Sequence, residues 1–352
     1  MAAPVSAATD TGPAIAPATL AQLAEHPLYV VGGRQRSERS LLERSGAWYG
    51  YGLGVILRLD GSGVSTVLEY HSRPGTYGPE DAVLFKSASR VGDRLYCCTQ
   101  TEVLVYALPD MREVAYISLP IFNDVHHVMP TDRGTLLVAV SGLELVVEVT
   151  LDGQVVAEHD VLGGDPDTRI DRSVDYRCGV STKPHLAHPN HLIDLHGEPF
   201  ATRFELRDAI SLQDPKRRID IGGERVHDGD LVGSQMYFTT VDGQVVIVDA
   251  ETLRVVERHP LRRCGDDGSK GESSRVVLGW CRALHVDNAS CWVGFTRIRP
   301  TKLRQTVSWI RTGGAGQAPT RIARYRRSDW TCDLEIDLEP YGLNAVFSVL
   351  PA

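Results

Sequence analysis

Four of the chain's twelve histidines recur at a matched place in a repeating unit. They stand in Val125-His126-His127-Val128-Met129, Pro189-Asn190-His191-Leu192-Ile193, Arg225-Val226-His227-Asp228-Gly229 and Ala283-Leu284-His285-Val286-Asp287. After His127, His191 and His227 the apolar run of the next strand falls nine residues on, at Leu136, Phe200 and Met236; after His285 it comes two residues sooner, at Trp292. A lone inner histidine is usually a hydrogen-bonded core residue. Four at matched offsets instead point to one radial position in successive repeats, where imidazoles converge on a single ion. Neutral imidazole is the commonest protein ligand for first-row metals. A four-nitrogen set with open positions suits a redox metal or a Lewis acid, and the lack of Cys disfavours a closed structural zinc site. The expected cofactor is a divalent metal, Fe(II) first and other first-row ions after it.

The same row in the remaining repeats falls on Lys86, from Leu84-Phe85-Lys86-Ser87-Ala88, and Asn344, from Gly342-Leu343-Asn344-Ala345-Val346. Asp124 lies three residues before His127 and Glu224 three before His227. Their carboxylates can orient a ligand imidazole or act as general base. Lys86 joins them as a catalytic or anion-holding group, while His185, His188, Arg225 and Arg282 complete a substrate pocket with Asn344. His126 should face away from His127, because strand side chains alternate. The long connections 163–184 and 263–280 are candidate lids, with Arg172, Tyr176, Arg177 and Trp280 as walls. The Gly-rich stretch 311–321 lacks the Gly-Lys-Ser/Thr of a phosphate loop, and no Gly-x-Ser-x-Gly elbow occurs.

These residues need a frame of short strands. Residues 127–160 divide into four, punctuated by turns at Asp132-Arg133-Gly134 and Asp152-Gly153. The phrase returns over 86–119, 191–221 and 227–259, and once more from His285, where Val307-Ser308-Trp309-Ile310 is read as a strand. A sixth unit is split: residues 52–59 and 65–70 give its outer strands, and 342–350 supply the inner one. Such closure removes the exposed edges of open sheets. The expected fold is all-β, a six-bladed β-propeller with seven blades as the rival count, because residues 21–50 have no obvious place. Residues 1–20 read as a disordered tail before one propeller domain, 21–352, with a short helix over 19–26.

This blade pattern, over residues 46–350, resembles the six-bladed propellers of the gluconolactonase-like, strictosidine-synthase-like and NHL-type groups. The histidine set resembles that of the carotenoid-cleavage oxygenases, whose four histidines hold a ferrous ion on the axis of a longer, seven-bladed propeller. The resemblance implies a metal on the channel axis. It does not fix the chemistry, since the lactonase group gathers its metal with carboxylates and asparagines.

A net charge of −8 and a pI near 5.8 argue against a nucleic-acid partner. No apolar run approaches the ~18 residues of a membrane span, so no membrane partner is expected either. Residues 1–20 lack the basic and apolar regions of a signal peptide. The seven cysteines are odd in number and contain no CxxC pair, which fits reduced thiols and a cytoplasmic protein. The expected function is a metal-dependent enzyme, of oxygenase or lyase/isomerase type, acting on a small organic molecule. A non-catalytic binding or scaffold propeller is the alternative, and a histidine-nucleophile group transferase, kept open by Arg225 and Arg282, is a third.

Overall fold

The computed structural model describes residues 13–36, 50–78, 83–178, 182–266, 277–298 and 318–352. After the helix α1 (Pro17–Glu25) come β1 (Leu28–Gln35), β2 (Tyr51–Asp60) and β3 (Gly63–Tyr70). Four further sets of four follow: β4 (Ser87–Val91), β5 (Arg94–Cys98), β6 (Val103–Ala107), β7 (Arg112–Ile117); β8 (Val125–Pro130), β9 (Leu136–Val140), β10 (Leu145–Val149), β11 (Val155–Asp160); β12 (Pro189–Leu195), β13 (Glu198–Arg203), β14 (Asp208–Ser211), β15 (Arg218–Asp220); β16 (Val226–Val232), β17 (Gln235–Thr240), β18 (Gln244–Asp249), β19 (Arg254–Pro260). The last are β20 (Trp280–Val286), β21 (Ser290–Thr296), β22 (Arg321–Arg326), β23 (Cys332–Asp337) and the closing strand β24 (Ala345–Pro351).

They form six antiparallel four-stranded sheets, and β24 heads the first as β24-β1-β2-β3. Numbering that sheet as blade one, blades two to six begin with β4, β8, β12, β16 and β20. These first strands touch one another in a closed circuit, β4 to β8 to β12 to β16 to β20 to β24 and back to β4. The fold is a six-bladed β-propeller. Burial follows from this arrangement: second strands such as β9 and β21 are buried throughout, whereas the outer β7, β11 and β19 expose much of their length.

Closure differs in one strand from the reading of the sequence. β24 pairs with β1 rather than with residues 52–59, and β1 in turn pairs with β2. Residues 28–35 thus fill the place that the sequence left open. In blade six the partner of β21 is β22, while Val307–Ile310 and most of the Gly-rich stretch lie outside the described residues. α1 begins within the stretch read as a tail, of which residues 1–12 also lie outside; its Leu23 is fully buried against the closing blade. The cysteines depart from the expectation of reduced thiols: Cys264 and Cys332 form a disulfide with Cα atoms 4.8 Å apart, tying the connection after β19 to the outermost strand of blade six. Among the described residues, no helix is long and apolar enough to cross a membrane.

Candidate functional site: the channel mouth

Every inner strand except β4 carries a register shift near its start. A bulge sets two residues against one and re-aims side chains. In blade four the shift lies between Pro189 and Leu192, in blade five between Val226 and Gly229, and in blade six between Cys281 and Leu284. Blade three shifts between Val125 and His127, and blade one between Val346 and Ser348. Aligned on these bulges, the first bulged residues are His126, Asn190, His227, Arg282 and Phe347, with Lys86 in the unbulged blade two. The second are His127, His191, Asp228, Ala283 and Ser348, with Ser87.

The first row faces the axis. His227 of blade five lies 6.1 Å from the Phe347 ring of blade one, skipping blade six, and Arg282 Cζ is 4.4 Å from the same ring. The second row sews adjacent blades together. Ser348 Oγ accepts the Ala88 N–H at 3.0 Å, His127 Nδ1 accepts the Leu192 N–H at 3.3 Å, and Asp228 Oδ2 accepts the Leu284 N–H at 3.0 Å. With Nδ1 accepting, neutral His127 donates from Nε2 to Ser89 Oγ at 3.4 Å, so both its nitrogens are engaged. His191 Nδ1 lies 2.5 Å from Asp228 Oδ1. His285 is displaced further down its strand, 3.6 Å from Asp230.

The expected convergence of all four, His127, His191, His227 and His285, is therefore corrected: the His127 and His191 rings are brought together, 4.0 Å apart, but the four occupy three registers and only His227 stands in the axial row. The expected orientations on β8 are exchanged, with His126 on the channel and His127 in the seam. Of the six positions expected to face inward, Lys86 and His227 do. Asn344 precedes β24, where its Oδ1 accepts the Gln35 N–H at 2.9 Å and its N–H bonds Gly33.

A different cluster forms at the mouth. Lys86 Nζ is ion-paired with Asp124 and lies 3.4 Å from His126 Nε2. His126 Nδ1 donates to the Asp124 carbonyl at 2.7 Å, which fixes its tautomer and leaves Nε2 facing Lys86. The His126 and His188 rings are 4.6 Å apart, and His185 Nδ1 meets His188 Nδ1 at 2.6 Å. Among the described residues, Asp124, His185 and His188 offer donor atoms that all lie within 4.8 Å of one another. The other such group contains the two disulfide cysteines.

Local structure explains this placement. Asp124 and His188 adopt φ of 51° and 56°. That left-handed conformation costs an L-residue roughly 1–2 kcal/mol and gathers at functional sites. Buried Glu144 clamps the loop before β12, its carboxylate accepting the N–H groups of Leu186 at 2.5 Å, His188 at 2.6 Å and Ala187 at 3.2 Å. Thr182 links the loop to Asn123, and Asn123 donates to the Tyr176 carbonyl. A Cβ on Gly142 would meet Asn123 Oδ1 at 1.9 Å, so only glycine fits beneath this contact. The signal for the pair was present in the sequence as His185-Leu186-Ala187-His188, read there as pocket lining.

Electrostatics follow burial. It lowers the Lys86 ammonium even with Asp124 against it, and it lowers the His126 imidazole well below its ordinary range. His188 is pushed down by burial to about 3, and His127 and His227 are likewise held well below the usual imidazole range. Burial alone would raise Asp124, but the neighbouring ammonium holds it well below the usual carboxylate range. Burial also brings the Arg282 guanidinium down to about 10. The mouth thus presents neutral imidazoles beside an ionised carboxylate.

The remaining expected residues lie at its rim or in the frame. Arg225 pairs with Glu205 at 3.0 Å, and half-buried Glu224 stands on the loop entering β16. Tyr176 is buried in the core of blade three, while Arg172 and Arg177 pair with Glu158, Asp167 and Asp175. These three anchor the 163–184 connection rather than wall a pocket. Trp280 begins β20, its ring 5.7 Å from Arg282 Cζ. A groove of about 670 Å³ opens elsewhere, beside the hairpin after β20. Its Arg324 and Arg326 are paired with Asp333 and Asp329, and Arg327 bonds Tyr237.

The fold and this mouth define the class: a six-bladed β-propeller with a histidine-rich polar channel entrance. No family model matches the sequence, and no curated protein gives a significant match. Among solved structures, the chain is similar to a protein of unknown function from Bacteroides caccae, with a TM-score of 0.59 and 14% identity over 93% of this chain and 98% of that one. A chain from a mitotic checkpoint complex aligns over 84% of this chain and 77% of its own, at 10% identity and a TM-score of 0.48. At these identities the first likeness is one of fold.

Proposed function

We propose that the channel mouth is the site of a divalent-metal-dependent enzyme acting on a small organic molecule, with Asp124, His185 and His188 as the metal ligands. The observation that carries this reading is the approach of their donor atoms to within 4.8 Å on partly buried loops. Two imidazoles and one carboxylate suit Fe(II) and related ions with positions left for substrate. Bound there, such an ion supplies Lewis-acid or redox chemistry to a substrate oxygen. The mixed oxygen and nitrogen set stands nearer the carboxylate-containing sites of the gluconolactonase-like group than the four nitrogens of the carotenoid-cleavage oxygenases.

The chain's own residues do the rest. Lys86 keeps Asp124 ionised and fixes its carboxylate. Lys86 Nζ and His126 Nε2, 3.4 Å apart, form a pair across which a proton moves to or from a substrate at the mouth. Glu144 is a positioning residue, since it reaches the site only through the backbone of the His185–His188 loop.

The Lys86–Asp124 ion pair and the contact between His185 and His188 favour a second reading, acid–base catalysis without metal. Protein purified without a His tag, supplied with Fe(II), Mn(II) or Zn(II) and then dialysed, separates the two by inductively coupled plasma mass spectrometry. The proposal expects about one ion per chain, reduced at least tenfold by His188→Ala or Asp124→Asn and unchanged by His285→Ala. No retained metal in the parent protein would overturn it in favour of the second reading.

A further inference from the structure

The axial row continues beyond the proposed metal ligands. Asn190 is 3% exposed and its Oδ1 has no hydrogen-bond partner among the described residues. Buried polar atoms are almost always satisfied, and one left bare costs about 1–3 kcal/mol. Asn190 holds the same bulge position in blade four that His126 and His227 hold in the blades on either side, so its amide stands in the row that faces the axis. Neither ring nitrogen of His227 hydrogen-bonds a described residue, and its imidazole is neutral through burial. Neutral imidazole offers one donor and one acceptor. Across the channel the Arg282 guanidinium lies against the Phe347 ring, buried and cationic. The Phe204 ring stands between His188 and His227, 5.6 Å from one and 6.4 Å from the other.

These groups ask for a ligand that combines three chemistries. An anionic end matches the planar donor fork of an arginine, which pairs best with carboxylate geometry. A hydroxyl satisfies Asn190 Oδ1 as donor and can accept from His227. A short carbon chain matches the apolar surface that Phe204 and Phe347 bring to within 6.4 Å and 6.1 Å of the His227 ring. We propose that the channel binds a small hydroxycarboxylate, its carboxylate toward Arg282 and its hydroxyl on Asn190 and His227. The inference rests on the reading of the mouth as a small-molecule site, and it names the substrate class of that site. It does not require the metal, since none of these three residues is among the proposed ligands.

The test is isothermal titration of chelator-treated protein with glycerate and with propionate, which lacks the hydroxyls. Glycerate is expected to bind at least tenfold more tightly, the discrimination that about one net hydrogen bond provides. Asn190→Leu removes the bare acceptor at similar volume, so the variant should unfold at the same temperature as the parent or higher, and the two ligands should then bind within about threefold of each other. Equal binding of both ligands to the parent, binding of neither, or unchanged discrimination in a folded Asn190→Leu would overturn the inference. Repeating the titration on His188→Ala keeps the two proposals apart. Discrimination that survives there supports the hydroxycarboxylate site whatever the metal analysis gives, and metal without discrimination removes this inference alone.

Discussion

Asp228 is expected to be a stability residue of unusual weight, because one buried carboxylate closes the seams on both sides of blade five. It is 5% exposed. Its Oδ2 accepts the Leu284 N–H of blade six at 3.0 Å, and its Oδ1 accepts the Gly229 N–H at 3.0 Å while lying 2.5 Å from His191 Nδ1 of blade four. Asp228→Ala removes all three contacts and strands the Leu284 N–H inside the protein. Hydrogen bonds to a charged group contribute about 1.5–3 kcal/mol, and an unsatisfied buried donor costs about 1–3 kcal/mol. Because these terms overlap, the expected loss is about 3–5 kcal/mol, the range for breaking one side of a buried charged contact. Asp228→Asn keeps an acceptor for Leu284 and should cost about 1–2 kcal/mol. Equilibrium urea unfolding followed by tryptophan fluorescence and far-ultraviolet circular dichroism reads both. His191→Ala in the Asp228→Ala background should cost less than it does alone, since the partner is already gone. An Asp228→Ala protein within about 1 kcal/mol of the parent would refute the assignment of this row to the seams.

Three further outcomes follow from the same structure. His127 and His227 have native proton affinities depressed by burial, so as pH falls below about 6.5 the unfolded chain takes up protons that the native one refuses; stability is full near pH 7 and should fall progressively toward pH 5, a loss that His127→Asn should reduce in denaturant titrations at the two pH values. Deleting residues 345–352 removes the strand that pairs with β1 and should abolish the cooperative thermal transition, whereas a sharp calorimetric peak in the truncated protein would contradict closure by this pairing. Glu144→Gln keeps the shape of the loop clamp but weakens its charged hydrogen bonds, so metal affinity measured by competition with a chelator should fall about tenfold with the fold intact, and unchanged affinity would remove Glu144 as a positioning residue.

The blades were legible because each repeats apolar strands broken by Gly and Asp turns, and that pattern is local. The register of the inner strands was not. The connection between β8 and β9 spans residues 131–135, while those after β12 and β16 span only 196–197 and 233–234. The apolar run also opens at different depths of the second strand, at the first residue of β9 (Leu136), the third of β13 (Phe200) and the second of β17 (Met236). The longer connection after β8 offsets the first difference, so counting back aligned His127 with His191, but nothing offsets the second and His227 was displaced by one position. The bulges then exchanged the channel-facing and seam-facing roles, turning His126 inward and His127 into a seam. Residues 28–35 went unplaced because they lie between β2 and a strand more than 300 residues away, and no local pattern announces the second pairing. Asp124, Lys86, His185 and His188 were all singled out as candidates. What the sequence did not contain was their assembly, which depends on Glu144 reaching the loop from more than 40 residues away.

The central claim is the position of the metal, and anomalous diffraction from crystals grown with Mn(II) or Fe(II) tests it most directly. Data collected on either side of the metal absorption edge should place one peak within coordination distance, about 2–2.3 Å, of Asp124, His185 and His188. A peak on the axis among His127, His191, His227 and His285, or no peak at the mouth at saturating metal, would contradict the account.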